Sequence, residues 1–203
     1  MWSQKVMLVG RRVTLRPLSP EDGPALVEAA ADGELWTLNV TSVPSRNTVE
    51  DYIGKALAGG AAGTVVPFVT TLSGDGCVVG STRFWQMDRH NRSLEIGHTW
   101  LAARWQRSFV NTEAKYLMLR YAFEVLGCIR VQFQTDVLNL RSQAAILRLG
   151  AKCEGVARRE RIMADGRKRD TMRFSVIEDE WPGIRDDLEM KIGGAPLFTV
   201  KPL

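Results

Sequence analysis

The chain has 203 residues, of which 45% are hydrophobic and 25% are charged. This length and composition suit one domain with a full apolar core, and they leave little room for two independent domains. The 27 basic and 23 acidic residues give a net charge of +4, which is compatible with anionic ligands but too small to require nucleic acid as a partner.

Three widely spaced cysteines, Cys77, Cys128 and Cys153, form no Cys-x-x-Cys pair, and the chain has only two histidines. We therefore expect reduced thiols and no metal site. The apolar run at the N-terminus is too short for a signal peptide, and no later run approaches the ~20 apolar residues of a spanning helix. The sequence predicts a cytoplasmic protein with no membrane partner.

The first half of the chain predicts a strand, two helices and a meander. Residues 13–17 alternate as a strand that ends at a proline. Two capping signals, Ser19-Pro-Glu-Asp22 and Thr48-Val-Glu-Asp51, each begin a predicted helix, and residues 36–46 between these helices predict a loop. Three strand-like runs follow over residues 65–71, 77–85 and 93–101. Short links rich in turn residues join them, which predicts antiparallel hairpins.

A long amphipathic helix is predicted directly after the third run. Apolar residues recur with helical spacing from Ala114 to Val125, Asn111 is a suitable N-cap, and Gly127 is a suitable stop. The loop before this helix is basic. Because the first turn of a helix has unpaired N–H groups and the positive end of the dipole, we expect a phosphate to bind there. Core packing alone would also explain the apolar face of the helix.

The second half predicts a strand, a helix, a hairpin and a last helix. Residues 130–135 alternate with Val131 and Phe133 on one face, and residues 139–149 predict a buried helix. Residues 153–163 and 167–176 flank Ala164-Asp-Gly166 and predict a β-hairpin. After a helix from about 181 to 191, we expect the single domain, residues 1–192, to end and a mobile C-terminal tail, residues 193–203, to begin.

Short motifs occur in order along most of the chain: Leu15-Arg-Pro-Leu-Ser-Pro-Glu-Asp22, Glu95-Ile-Gly97, Glu113-Ala114, Tyr121-Ala-Phe-Glu-Val-Leu-Gly127, Thr135-Asp136, Asn139-x-x-Ser142, Leu149-Gly-Ala-Lys-Cys-Glu-Gly155, Arg169-Asp170 and Glu180-Trp181. Together they resemble the GNAT superfamily of acetyl-coenzyme A (acetyl-CoA) dependent N-acetyltransferases. The similarity is with the branch that includes the acetyltransferases of ribosomal-protein N-termini, and it extends from roughly residue 10 to residue 188.

The resemblance implies an α/β (α+β) fold. Its central sheet would be mixed and mostly antiparallel, with about seven strands, splayed in the middle and flanked by helices on both faces. Acetyl-CoA, the co-substrate, would lie in the cleft between the splayed strands, with residues 131–135 as the opposite wall. The residues implied to bind it are His98, Thr99, Trp100, Leu101, Arg104, Gln106, Arg107, Ser108, Phe109, Val110, Asn111, Thr112 and Asn139.

The phosphate loop departs from the family pattern. The pattern Gln/Arg-x-x-Gly-x-Gly/Ala falls on Gln106-Arg-Ser-Phe-Val-Asn111, so Phe109 and Asn111 stand where small residues are usual. Glycine lets the backbone approach the phosphates closely. Three possibilities follow: intact binding with Phe109 turned outward, weakened donor affinity, or a non-catalytic binding module. Arg104 and Arg107 can still supply side-chain charge to phosphates.

Direct transfer requires an uncharged amine, a polarised thioester carbonyl and a proton for the departing thiolate. The resemblance assigns the proton donor to Ser142, although Asn139 and Ser142 are equally explained as an ordinary helix start. Candidates for the general base are Glu95, His98 and Glu160, and we favour Glu95, acting through a water. The acceptor is a primary amine, either a protein N-terminus or a small amine, and the sequence does not choose between them.

Six basic residues lie between positions 158 and 169. They can attract an acidic acceptor or the 3′-phosphate of coenzyme A, but the acidic residues among them favour a solvated hairpin. The run contains no aromatic residue on which a base would stack, so we expect no nucleic-acid partner. Both a monomer and a homodimer remain open.

Overall fold

The computed structural model describes residues 2, 4–163, 165–195 and 197–202. Its strands are β1 Val6–Val9, β2 Val13–Pro17, β3 Val66–Leu72, β4 Val78–Asp88, β5 Ser93–Leu101, β6 Arg130–Asp136, β7 Lys152–Ile162, β8 Lys168–Ile177 and β9 Thr199–Pro202. Its α-helices are α1 Gly23–Ala31, α2 Val49–Ala61, α3 Phe109–Arg120, α4 Leu140–Arg148 and α5 Trp181–Lys191. None of the helices in these ranges is long and apolar enough to cross a membrane.

The strands form one open sheet in the order β7-β8-β6-β5-β4-β3-β2-β1-β9. Every neighbouring pair is antiparallel except β5 and β6, which run parallel. The predicted meander is confirmed in β3, β4 and β5, and the predicted hairpin in β7 and β8. Within the predicted turn of that hairpin, Ala164 lies outside the described residues.

Helices cover both faces of the sheet, as expected. Consecutive residues of a strand point to opposite faces, and in β3 Phe68 packs in a cluster with α3 and α5 while Val69 packs in a cluster with α1 and α2. Both side chains are fully buried. The sheet therefore separates two hydrophobic cores. A ligand bound on one face of the sheet does not by that position contact the other face.

Helix α3 begins earlier than predicted. Its N-cap is Ser108, whose Oγ accepts the N–H of Val110 at 3.3 Å, and Asn111 lies within the first turn. The helix continues past Arg120 as a π-helical turn, Tyr121–Val125. Nearly all of α3 after its first turn is buried, so this helix is the centre of one core.

The strand number and the tail require correction. The described residues form nine strands rather than about seven, and both additional strands lie at the same sheet edge. Residues 6–9 form β1 before the first predicted strand, and Thr199–Pro202, expected to belong to a mobile tail, pair with β1 as β9. Both strands are only four residues long, which makes their alternation too short to stand out in the sequence.

Candidate active site

A cleft opens where β5 and β6 separate. Their parallel pairing covers only residues 93–95 with residues 130–132. Beyond Glu95 the edge of β5 that faces β6 has no neighbouring strand. The resulting cleft has a volume of about 1710 Å³ and reaches the starts of α3 and α4. Backbone groups on such an edge must find other partners, which suits a bound ligand with amide groups.

A bulge bends β5 at the same point. Ser81 pairs with Trp100 and Arg83 pairs with Gly97, so His98 and Thr99 together face the single Thr82. His98 has the positive φ of 50°, a conformation that is uncommon for residues other than glycine. Such a bulge turns the strand and ends regular pairing, and it therefore widens the cleft beside Glu95.

The structure brings most of the predicted site residues to this cleft. Those that line it are Glu95, His98, Thr99, Trp100, Leu101, Gln106, Arg107, Asn111, Asn139 and Ser142. Five predicted donor-binding residues do not contribute to its lining: Arg104, Ser108, Phe109, Val110 and Thr112. Most of the predicted residues therefore converge on one cleft, and the roles assigned to them stay predictions.

The phosphate loop explains several of these exceptions. The ring of Phe109 packs away from the cleft, with the Arg12 guanidinium 3.9 Å above it and the Trp105 ring centroid 6.0 Å away. Arg104 is engaged elsewhere, because its Nε lies 2.7 Å from Oδ2 of Asp32. Arg107 adopts a φ of 58° and remains at the cleft. Although Phe109 stands in the glycine position, its ring therefore does not block the entrance to the phosphate loop.

Helix α4 begins at the opposite wall. Asn139 is its N-cap, and the Asn139 Oδ1 accepts the N–H of Ser142 at 3.0 Å. This interaction satisfies one of the free N–H groups of the first turn. Both side chains line the cleft. Asn139 therefore caps α4 as expected and also lies where a ligand in the cleft would contact it.

Glu95 is a buried carboxyl group at the edge of the cleft. Only 2% of its surface is exposed, and its Oε2 has no hydrogen-bond partner among the described residues. Burial raises the pKa of Glu95 to about 7, against the lowering effects of the Trp85 indole N–H and the charge of Arg161. A carboxyl group with this pKa can both accept and release a proton near neutral pH.

Gly97 makes room for this arrangement. A Cβ at residue 97 would lie 2.5 Å from the Trp85 Nε1, so any other residue would displace the indole from its place beside Glu95. The glycine of the Glu95-Ile-Gly97 motif therefore has a steric explanation in the closeness of the Trp85 ring.

The other two candidates for the base are less suitable. Burial, together with the positive charges of Arg83 and Arg161, lowers the pKa of His98 to about 4, so the ring is neutral and weakly basic near pH 7. Glu160 forms an ion pair with Arg173. Although burial opposes the effect, this pairing keeps the pKa of Glu160 below its usual value. Glu95 is the group whose acidity suits proton transfer.

Sequence reasoning missed a buried lysine under the bulge. Lys115, on α3, donates to the Oγ1 of Thr99 at 2.7 Å and to the Oγ1 of Thr82 at 2.9 Å. It forms no ion pair with a described residue, and burial lowers its pKa to about 7. Lys115 follows Ala114 directly and lies about one helical turn before Met118, and both of these residues belong to the predicted apolar face. This position was the sequence signal for a buried lysine.

The cleft lining also contains five arginines that were not among the predicted site residues: Arg83, Arg141, Arg148, Arg161 and Arg169. Of the basic run at positions 158–169, Arg161 and Arg169 line the cleft, whereas Arg158, Arg159 and Lys168 are exposed. The prediction of a solvated hairpin was therefore right for only part of this run.

Comparison with known proteins agrees with this geometry. A family model described as an acetyltransferase (GNAT) domain matches residues 12–152. The Bacillus subtilis (strain 168) protein YdaF, whose name describes it provisionally as a ribosomal N-acetyltransferase, is 28% identical over 186 residues. This alignment covers 86% of the present chain and 96% of YdaF.

Two solved structures show the same similarity in three dimensions. A protein of T. thermophilus, provisionally described as an acetyltransferase, is 35% identical with a TM-score of 0.80, and the match covers 92% of this chain and 96% of that one. Mycobacterium smegmatis RimJ, solved in complex with CoA-disulfide, is 21% identical with a TM-score of 0.78 over 91% of this chain and 94% of RimJ. The latter match concerns the fold alone.

Proposed function

Because the chain belongs to the GNAT acetyltransferase family and is an N-acetyltransferase, we propose that it transfers the acetyl group of acetyl-CoA to a primary amine by direct attack. The observation that carries this proposal is the position of Glu95. Its buried carboxyl group, with a pKa raised to about 7, lies where the open edge of β5 begins.

In this proposal the donor lies between β5 and β6. The unpaired edge of β5 past the bulge offers backbone groups to the acetyl carbonyl and the pantetheine amides. The start of α3 faces the pyrophosphate, with Arg107 as a cation at the mouth of the loop. The side chain of Phe109 packs against Arg12 and Trp105, which supports intact donor binding over a degenerate loop.

Two side chains of the protein transfer the protons of the proposed reaction. The lone pair of the neutral amine attacks the thioester carbon, so a C–N bond forms and the C–S bond breaks. Glu95 accepts the proton released by the amine, through a water, and Ser142 supplies a proton to the departing thiolate. Asn139 holds the first turn of α4 so that Ser142 stays at the cleft.

Two further proposals concern acceptor and location. The name of YdaF describes ribosomal N-acetylation, so the N-termini of ribosomal proteins are the first acceptors to test, and small amines the second. We also propose a cytoplasmic location, supported by three free cysteines at positions 77, 128 and 153.

Titration calorimetry with acetyl-CoA and with CoA tests the donor site. We expect micromolar binding that falls about tenfold in Arg107→Gln, because a phosphate contact from a charged side chain is lost. Arg11→Gln is the matched control, since Arg11 is also exposed but lies outside the cleft. Undetectable binding by the unmodified protein would refute the acetyl-CoA assignment.

Thiol release in the presence of amines then tests the transfer. With both substrates varied, direct attack in a ternary complex predicts intersecting double-reciprocal lines, whereas parallel lines would indicate an acetylated enzyme. Donor binding without thiol release for any amine would favour the alternative, a GNAT-like ligand-binding module.

A further inference from the structure

Two buried arginines border the cleft on the face of the sheet that carries α1 and α2. Arg83, on β4, is 7% exposed, and its guanidinium lies over the Tyr52 ring of α2 at 4.6 Å. Arg169, on β8, is 8% exposed, and strand alternation places it on the face opposite Phe174 and Val176, which pack in the cluster of α3 and α5. Both line the same cleft as Glu95 and His98.

Neither arginine has a polar partner in the described part of the chain. No hydrogen bond or ion pair is formed by either guanidinium, and the Nε of each is buried without an acceptor. Nearby arginines behave differently, since Arg167 is paired with Asp136 at 2.5 Å and Arg173 with Glu160. Arg169 experiences the charges of Asp136, Glu160 and Glu95, but it forms a hydrogen bond with none of them. Burying a guanidinium group without hydrogen-bonded partners is costly, so two such groups at one cleft indicate an anion that belongs to a ligand.

Both arginines lie near the proposed base, and the charge of Arg169 acts on Glu95. Arg83 is paired in register with Gly97, two residues from Glu95. A third arginine, Arg161, lies over the Trp85 ring at 5.3 Å, and its charge acts on both Glu95 and His98. An anion held by this group would therefore lie close to the amine that Glu95 deprotonates.

The phosphates of the donor are poor candidates for this anion. Consecutive residues of β4 point to opposite faces, and Thr82 contacts Lys115 of α3 while Arg83 contacts Tyr52 of α2. The start of α3, where we place the pyrophosphate, thus belongs to the opposite face of the sheet from Arg83. The acceptor is the ligand that approaches from the α1 and α2 face.

We propose that the amine acceptor carries a carboxylate close to its amine and that Arg83 and Arg169 bind this carboxylate, with Arg161 contributing charge. This inference rests on the proposed function. The carboxylate has two possible sources: the α-carboxylate of a free amino acid, or an acidic side chain next to the N-terminus of a polypeptide. The chemistry at the arginines is the same for both.

The test uses acceptor pairs that differ only in the carboxylate. One pair is L-alanine and L-alaninamide, and the other is Ser-Glu-Ala-amide and Ser-Gln-Ala-amide. Thiol release from acetyl-CoA gives kcat/KM for each. We expect the carboxylate to raise kcat/KM by about tenfold or more in at least one pair, because charge-assisted hydrogen bonds to buried donors are lost with the amide. The pair that shows the preference identifies the source.

Variants connect the preference to the arginines. Arg83→Gln and, independently, Arg169→Gln are expected to bring the two members of the pair within about twofold of each other. Arg158→Gln is the matched control, because Arg158 is an exposed arginine of β7 outside the cleft lining. Circular dichroism verifies that each variant is folded. A preference that survives in both cleft variants overturns the proposal, as does equal turnover of both members in both pairs by the unmodified protein.

Calorimetry separates this inference from the proposed function. The same four acceptors are titrated into the unmodified protein and into Arg83→Gln without donor. If no acceptor is acetylated but the carboxylate members bind more tightly, and only when Arg83 is present, the anion site stands while the transfer reaction fails. Equal binding of both members of each pair overturns the anion site, whatever the turnover.

Discussion

Replacing Glu95 by glutamine should strongly lower activity and stabilise the fold at the same time. The amide has almost the same shape as the carboxyl group but does not titrate. Glu95 is 2% exposed, and burial raises its pKa to about 7. The unmodified protein therefore loses stability when this group ionises, and Glu95→Gln removes that loss together with the proposed base.

The sign and size of the stability effect follow from the pKa. The ordinary pKa of a glutamate is 4.5 and the folded value is about 7, so the folded state binds more protons than the unfolded state between these pH values. Stability from this group is present below 4.5 and is lost as the pH rises through 7. At about 1.36 kcal/mol for each factor of ten, ionisation costs roughly 3 kcal/mol.

Urea unfolding measures this difference. At about pH 8 we expect Glu95→Gln to unfold with a free energy roughly 3 kcal/mol higher than the unmodified protein, and at about pH 5 the gain should shrink below ~1 kcal/mol. Glu28→Gln is the control, because Glu28 is exposed and its substitution should leave the free energy of unfolding nearly unchanged at both pH values.

Thiol release measures the catalytic part. The kcat/KM of the unmodified protein should fall about tenfold per pH unit below a pKa near 7, and Glu95→Gln should lower it by about 10²- to 10⁴-fold. Full activity in the variant would exclude Glu95 as the base. If the free energies of unfolding of the unmodified protein and of Glu95→Gln differ by the same amount at pH 5 and at pH 8, Glu95 does not titrate near neutrality. The argument from burial would then be wrong.

Three further substitutions test single side chains. Ser142→Ala should lower kcat more than donor affinity if the hydroxyl protonates the thiolate, and unchanged turnover would remove that assignment. Lys115→Met should stabilise the fold by roughly 4 kcal/mol more at about pH 6 than at about pH 10. The reason is that the folded pKa of Lys115, about 7, lies below the ordinary lysine value of 10.5, so the stability of the unmodified protein rises with pH between these values. A gain in the free energy of urea unfolding that does not depend on pH would contradict this. Phe109→Ala should cost about 1–3 kcal/mol of stability by calorimetric melting while leaving donor affinity within about twofold, and a larger loss of affinity would place the ring in the site.

Local patterns predicted the bounds of some elements well. The strand 93–101 and the helix 181–191 have the expected bounds in the structure, since both have strong alternation or capping signals. The start of α3 was missed because Ser108 and Asn111 are both good capping residues. The choice between them depends on the loop, in which Arg107 adopts a φ of 58°, and no periodicity reports that angle.

The arginines of the cleft could not be assigned from the sequence for a different reason. In β7 the register shifts between Ala157 and Arg161, and Arg159 has a φ of 50°. Residues 158–160 of β7 face the single Asp170 of β8 across this shift. The regular alternation of faces is interrupted there, so the sequence alone does not tell which of Arg158, Arg159 and Arg161 turns inward. That Arg83 is buried without a partner becomes visible only when β4, α2 and the hairpin are assembled.

The distribution of reactive groups over the two faces favours direct transfer over an acetylated enzyme. An acetyl-enzyme pathway needs a nucleophile at the thioester, and none of the three cysteines lines the cleft. Cys77 and Cys153 are exposed, and burial raises the pKa of Cys128 to about 12, which leaves too little thiolate to react. In the proposed arrangement the donor lies on the face of α3 and the acceptor on the face of α2, so that the two substrates would meet at the bulge of His98 and Thr99. The amine can therefore reach the thioester itself, and the protein needs to move protons rather than the acetyl group.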